Sequence, residues 1–139
     1  MPAHHYIDEK RQLIITSWEG EAHDIEFIEA LKKYQKDIQN HPDYINYNEI
    51  VDFSQVTKIH ITTEGIKNIG LIAPKTDYDE ANRKLAFIVS SNLAYGLVRM
   101  YQAYRDFSNR SIKKIRVFKS ESDAFEWVKN TSVTDVVVD

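Results

Sequence analysis

Polar side chains that could bind or transform a ligand follow the apolar runs of this sequence. Asp52 and Ser54 come at the end of one such run, Thr62 and Thr63 precede a short helical pattern, and Ser91 follows another apolar run. Because the carboxyl ends of parallel strands share one edge of a sheet, where ligands usually bind, we expect these residues along one edge. Asp52 is either an acid whose pKa is raised by burial or the start of an Asx-type turn.

No constellation of these residues predicts an enzyme. Ser90 or Ser91 could form a catalytic triad with His60 and Asp52 on paper, but no Gly-x-Ser-x-Gly elbow accompanies them. Gly65 and Gly70 do not belong to a phosphate-binding loop pattern. We therefore expect a non-catalytic protein that has no cofactor.

The sequence also lacks the spacing of a metal site. It contains no cysteine, which excludes disulfides and thiolate zinc sites. The acidic stretch within 75–83 lacks the glycine and the terminal glutamate of a calcium-binding EF-hand loop. We expect no bound metal, and we expect the scattered histidines to be surface residues: His4, His5, His23, His41 and His60.

The length of 139 residues corresponds to one domain. We assign residues 1–130 to that domain and 131–139 to a C-terminal tail that is either an edge strand or disordered. The net charge of -3 predicts no general attraction to nucleic acid or to an anionic membrane. The first twenty residues lack the apolar core of a signal peptide, and no apolar stretch approaches the roughly 20 residues that cross a bilayer. We therefore expect a cytoplasmic protein with no membrane span.

The elements that must position these residues alternate between strand and helix. Apolar runs predict an antiparallel hairpin from 6–8 and 13–18 and further strands at 48–53, 85–89 and 115–118, with a loop at 54–60. Helical spacing predicts four helices, which begin near Asp24 (expected to cap the first of them), Thr62, Asn92 and Ser120. Helices supply the crossovers that parallel strands need. The pattern therefore predicts an α/β fold with a single-layer, mixed, mostly parallel sheet, an N-terminal antiparallel hairpin and about four helices.

This element order and three stretches of sequence resemble the SpoIIAA-like branch of the STAS domain family. Asp52-Phe53-Ser54, within 49–56, is similar to the Asp-Leu-Ser that ends the corresponding strand in anti-sigma factor antagonists. The other stretches are 86–89, and 116–118 leading into 124–128, and the likeness covers roughly 6–128. The resemblance implies a non-catalytic bacterial domain that binds a partner protein or a small ligand.

The resemblance further implies a phosphorylation site. The antagonists are switched by phosphorylation of a serine at the start of the second helix. The antagonists carry Asp-Ser-Ser-Gly at this turn, whereas the matching stretch here, 60–65, reads His-Ile-Thr-Thr-Glu-Gly. Thr62 or Thr63 is therefore either the phosphate acceptor or simply the N-cap of the helix.

Two functions remain open at this point. The first is a regulatory or protein-interaction domain that binds a protein partner or a second copy as a homodimer, with phosphorylation at the start of the second helix as its switch. The alternative is a carrier or sensor of a small apolar ligand or lipid, held between the sheet and the third predicted helix. That alternative needs a cavity where the first needs solid packing. Its predicted lining is Leu93, Leu97, Met100 and Tyr101.

Overall fold

One mixed sheet organises the chain, and its strands lie side by side in sequence order. The computed structural model describes residues 3–72, 83–92, 95–96, 98–99, 101–102 and 114–129. The first two strands pair antiparallel, and each later strand pairs parallel to its predecessor. In the described part of the chain the strands are β1 (Ala3–Asp8), β2 (Leu13–His23), β3 (Asn48–His60), β4 (Lys84–Ile88) and β5 (Lys114–Phe118).

Helices connect the parallel strands and cover both faces of the sheet. Three of them have described bounds: α1 (Asp24–Asn40), α2 (Thr63–Ile72) and α3 (Glu121–Lys129). A short 3-10 helix, Pro42–Asn46, follows α1. The sequence predicted about four helices. The fourth falls between β4 and β5, where the described residues 92, 95–96, 98–99 and 101–102 are helical. None of the helices among the described residues is long and apolar enough to span a membrane.

The α/β class, the N-terminal hairpin and the parallel remainder of the sheet confirm the fold predicted from the sequence. The prediction that 54–60 form a loop is wrong, because β3 continues to His60 beside β2. The pairing accommodates two extra residues in β3, at register shifts between Ser17 and Glu19 and between Gly20 and Glu21. Gly20 has a φ of 71°, which glycine adopts without steric cost. These bulges break the alternation that would have marked a strand in the sequence.

The two faces of the sheet pack against different helices. On one face, Ala124 and Val128 of α3 lie in a cluster with Ile50 and Ala86 of the central strands. The next residue of β4, Phe87, points to the opposite face and clusters with Ala30 of α1. Every residue of β4 is buried, as expected for a strand that is covered on both sides.

Candidate functional site

A cavity of about 150 Å³ lies on the α1 face of the sheet. Its wall is built by β1, β2, β3 and β4 together with α1, α2 and the helical residues Val98 and Tyr101. α1 supplies Phe27, Ala30 and Leu31 to this wall. Most of the wall is therefore aliphatic or aromatic, which is typical of a site for a small molecule.

Aromatic rings in mutual contact form the side of the cavity at β2, β3 and β4. Trp18 stacks on Phe27 with ring centroids 4.4 Å apart. Phe53 lies 6.0 Å from Phe87 in a parallel arrangement, and Phe87 meets Tyr101 edge-on at 5.7 Å. Each ring is therefore in contact with another, in the stacked or edge-on arrangements that aromatic pairs favour.

A polar network closes one end of the cavity. The hydroxyl of Tyr34 donates a hydrogen bond to Glu49, and Nη1 of Arg83 donates to the Tyr34 oxygen at 2.9 Å. The same Nη1 lies 3.5 Å from Oε1 of Glu49, and the two charged side chains are only 2% and 8% exposed. Burial raises the pKa of Tyr34 well above its ordinary value, so this phenol stays a neutral donor to the carboxylate.

His5 supplies a second polar group at this end, and the prediction that it is a surface residue is wrong, because its Nε2 is buried. Its Nδ1 and the hydroxyl of Thr16 form a hydrogen bond of 2.9 Å. Among the described residues, Nε2 of His5 is a buried nitrogen with no hydrogen-bond partner. Burial and then the charge of Lys33 lower the pKa of His5, although Asp37, the carbonyl of Ala30 and Glu49 act weakly in the opposite direction. His5 is therefore a neutral imidazole beside an apolar cavity, and the influence of the Ala30 carbonyl on its pKa does not amount to a hydrogen bond of normal geometry at Nε2.

One of the four residues that were predicted to line an apolar pocket can be compared with this cavity. Tyr101 lines the cavity, whereas Leu93, Leu97 and Met100 lie outside the described residues. Sequence patterns did not predict the lining residues from β2, β3 and β4, such as Trp18. The available signal was that both faces of these strands carry apolar side chains, but that pattern is also produced by a solid core.

The structure does not bring together all of the polar residues that were predicted to share one edge of the sheet. Oδ1 of Asp52 accepts a hydrogen bond of 2.8 Å from the backbone N–H of Ser54, which satisfies that N–H at the first bulge. Ser91 lines a second pocket together with Ser90 and His60. Thr62 and Thr63 lie beyond the end of β3, and the stretch from Asp52 to His60, which pairs with Ser17 to His23, alone spans roughly 20 Å. They cannot form one binding edge with Asp52.

Thr62 is the N-cap of α2, because its Oγ1 accepts a hydrogen bond of 2.9 Å from the backbone N–H of Gly65. The same hydroxyl donates to Oδ2 of Asp24 at 2.7 Å, and Oδ1 of Asp24 accepts from the Thr62 N–H at 2.9 Å. Asp24 was expected to cap α1, but His23 occupies the N-cap position of that helix. Asp24 instead joins the first turn of α1 to the first turn of α2.

Together these elements form a SpoIIAA-like fold. The crystal structure of an uncharacterized protein of the DUF3478 family from Shewanella loihica PV-4, which has a SpoIIAA-like fold, matches the chain with a TM-score of 0.57. The two sequences are 12% identical, and the match covers 91% of each chain. No protein-family model matches this sequence, and no curated protein matches it. The similarity confirms the fold that the sequence resemblance implied.

We expect Gly65→Ala to destabilise the protein by about 1–2 kcal/mol, since an added Cβ would overlap the carboxylate of Asp24 and would displace its hydrogen bonds to Thr62. In an Asp24→Ala background the same substitution should stabilise α2 by up to about 1 kcal/mol through helix propensity. Urea unfolding of the four proteins measures this change of sign. The same sign in both backgrounds would contradict the proposed role of Asp24.

We expect the stability of the protein to fall as the pH is lowered below about 6.5, the ordinary pKa of histidine. His5 has a lowered pKa in the folded state, so the unfolded chain binds a proton that the folded chain does not. Urea unfolding at about pH 7.5 and pH 5 should show a smaller loss of stability for His5→Gln than for the unmodified protein. His41→Gln, at an exposed position, should keep the full loss; an unchanged loss in His5→Gln would contradict the prediction.

Proposed function

We propose that this SpoIIAA-like domain is a non-enzymatic protein that binds a small apolar molecule carrying one hydrogen-bonding group. The observation that supports this proposal is the cavity itself, whose wall is apolar except at the end formed by His5, Thr16, Tyr34 and Glu49. Nε2 of His5 is buried there without a partner among the described residues. A ligand that supplied this partner would remove the cost of an unsatisfied buried polar group.

The size of the cavity limits the ligand. A cavity of about 150 Å³ holds a molecule of the size of benzene. This volume favours a single substituted ring or a short acyl chain over a whole phospholipid. Of the apolar ligands considered from the sequence, the small molecule is therefore better supported than the lipid.

The polar residues of the cavity support binding without catalysis. Glu49 accepts from Tyr34 and lies beside Arg83, so its charge is already compensated. Neutral His5 is bonded through Nδ1 to Thr16. A general base is normally placed beside a nucleophile that it can activate. In the described lining of this cavity, Glu49 and His5 are instead each held in a structural hydrogen-bond system.

Phosphorylation at Thr62 has less support. Its hydroxyl donates to the carboxylate of Asp24, and a phosphate at that oxygen would bring up to two negative charges against this carboxylate. Attachment would also remove the cap of α2. The favourable field of a helix N-terminus is already used by Asp24.

The binding proposal can be tested with toluene and p-cresol, which differ only in a hydroxyl group. We expect both to bind, and p-cresol to bind about fivefold more tightly because its hydroxyl pairs with His5. A Trp127→Phe background leaves Trp18, which lines the cavity, as the remaining one of the two tryptophans. Its fluorescence then reports occupancy. The substitution His5→Leu should abolish the preference for p-cresol and retain the binding of toluene.

If neither probe changed the Trp18 fluorescence of the folded protein, the proposed function would be wrong. Binding of both probes with equal affinity before and after His5→Leu would leave an apolar site but would exclude the role of His5 as an anchor.

A pair of identical substitutions tests whether the cavity is the site. Ala30 lines the cavity, whereas Ala124 packs in the hydrophobic cluster on the other face. We expect Ala30→Leu to fill the cavity, abolish probe binding and leave the stability within about 1 kcal/mol. Ala124→Leu should cost about 1–3 kcal/mol by overpacking and preserve binding. Urea unfolding and probe titration of both variants measure this, and unimpaired binding by Ala30→Leu would contradict the location.

A further inference from the structure

β2 and β3 continue together beyond the rest of the sheet. The pairing of β3 with β4 extends only from Glu49 to Asp52, but β3 remains paired with β2 as far as His60. His60 is the register partner of His23, and these are the last residues of their strands. The far end of this two-stranded ribbon therefore carries two histidines side by side.

A glutamate completes this pair. The rings of His23 and His60 stack with centroids 4.5 Å apart and an angle of 13° between their planes. Oε1 of Glu21 lies 2.8 Å from Nε2 of His60. One potential ligand atom from each of the three residues lies within 4.8 Å of the other two. The side chains are 44–55% exposed, so small rotations can bring these atoms closer without disturbing the core.

We propose that Glu21, His23 and His60 bind a divalent transition-metal ion of the zinc class. Imidazole nitrogens with one carboxylate oxygen are a ligand set suited to Zn²⁺, and water can occupy the remaining position of a tetrahedral site. The ion would replace the hydrogen bond between Glu21 and His60. Because each ligand stands at or near the end of its strand, the backbone of the ribbon fixes their spacing.

Glu26 orients one of the ligands. Its Oε1 lies 3.0 Å from Nδ1 of His23 and also accepts a hydrogen bond of 3.0 Å from the His23 backbone N–H. A carboxylate that accepts the Nδ1 proton leaves the lone pair of Nε2 available for the metal. This arrangement of carboxylate, histidine and metal is common in zinc proteins. Glu26 also adds negative charge beside the ion.

No metal site was predicted from the sequence, because the five histidines have no metal-site spacing. His23 and His60 come together only through the register of β2 and β3, including both bulges. Their proximity depends on the pairing of two strands and is invisible to local sequence spacing.

Titration calorimetry of the tag-free, chelator-treated protein with Zn²⁺ tests the site. We expect one ion per chain with an affinity in the micromolar range or tighter. His23→Gln and His60→Gln should each weaken binding by at least about tenfold. His4→Gln is the matched control, since His4 also pairs with a glutamate, Glu19, at 3.1 Å on the surface, and it should bind as the unmodified protein does.

Absence of a saturable site, or equal weakening by His4→Gln and His23→Gln, would overturn the proposal. Thermal unfolding of each variant without metal shows whether it is folded. Should His60→Gln fail to fold, Glu21→Gln supplies the test, because it retains both imidazoles and removes the carboxylate ligand. We expect Zn²⁺ to raise the unfolding temperature of the unmodified protein and of His4→Gln, and to raise that of the ligand variants much less.

Discussion

A guanidinium group enclosed by protein constrains the rest of this structure. Arg83 is 2% exposed, and a buried charge is tolerated only when it is paired and hydrogen-bonded. Its partners include Glu49 at the start of β3 and Tyr34 in the middle of α1. The network therefore fixes the position of α1 over the sheet, and with it the distance between the helix and the strands that leaves room for the cavity.

The two faces of the sheet pack through different sets of side chains. On the α3 face, small residues such as Ala86 and Ala124 are fully buried, so helix and sheet approach closely. On the α1 face, rings such as Trp18, Phe53 and Phe87 meet one another. The cavity lies among these rings, on the α1 face of the sheet.

The sequence predicts those parts of the fold in which a local pattern decides the structure. Leu85 to Val89 was correctly predicted as a central strand, apart from its ends, because burial on both faces requires a continuous apolar run. The second half of β3 was missed since it pairs with β2 alone and its bulges disrupt the alternation. Because β3 extends as far as His60, Thr62 lies far from Asp52. The contact between His23 and His60 and the pairing of Arg83 with Glu49 join residues that are distant in sequence, and no local pattern records them.

The two bulges of β3 have a consequence for how this chain tolerates changes in length. Side chains along a regular strand alternate between the faces, so losing one residue there turns every later side chain to the opposite face. The bulges are exceptions, because each holds one residue of β3 that has no partner of its own in β2. Deletion of such an extra residue, between Asp52 and Gln55 or between Val56 and Lys58, would straighten one irregularity and leave His60 opposite His23. Deletion at a paired position, with both bulges kept, would instead move His60 out of register with His23. The far end of the ribbon can therefore keep its arrangement when β3 shortens at a bulge.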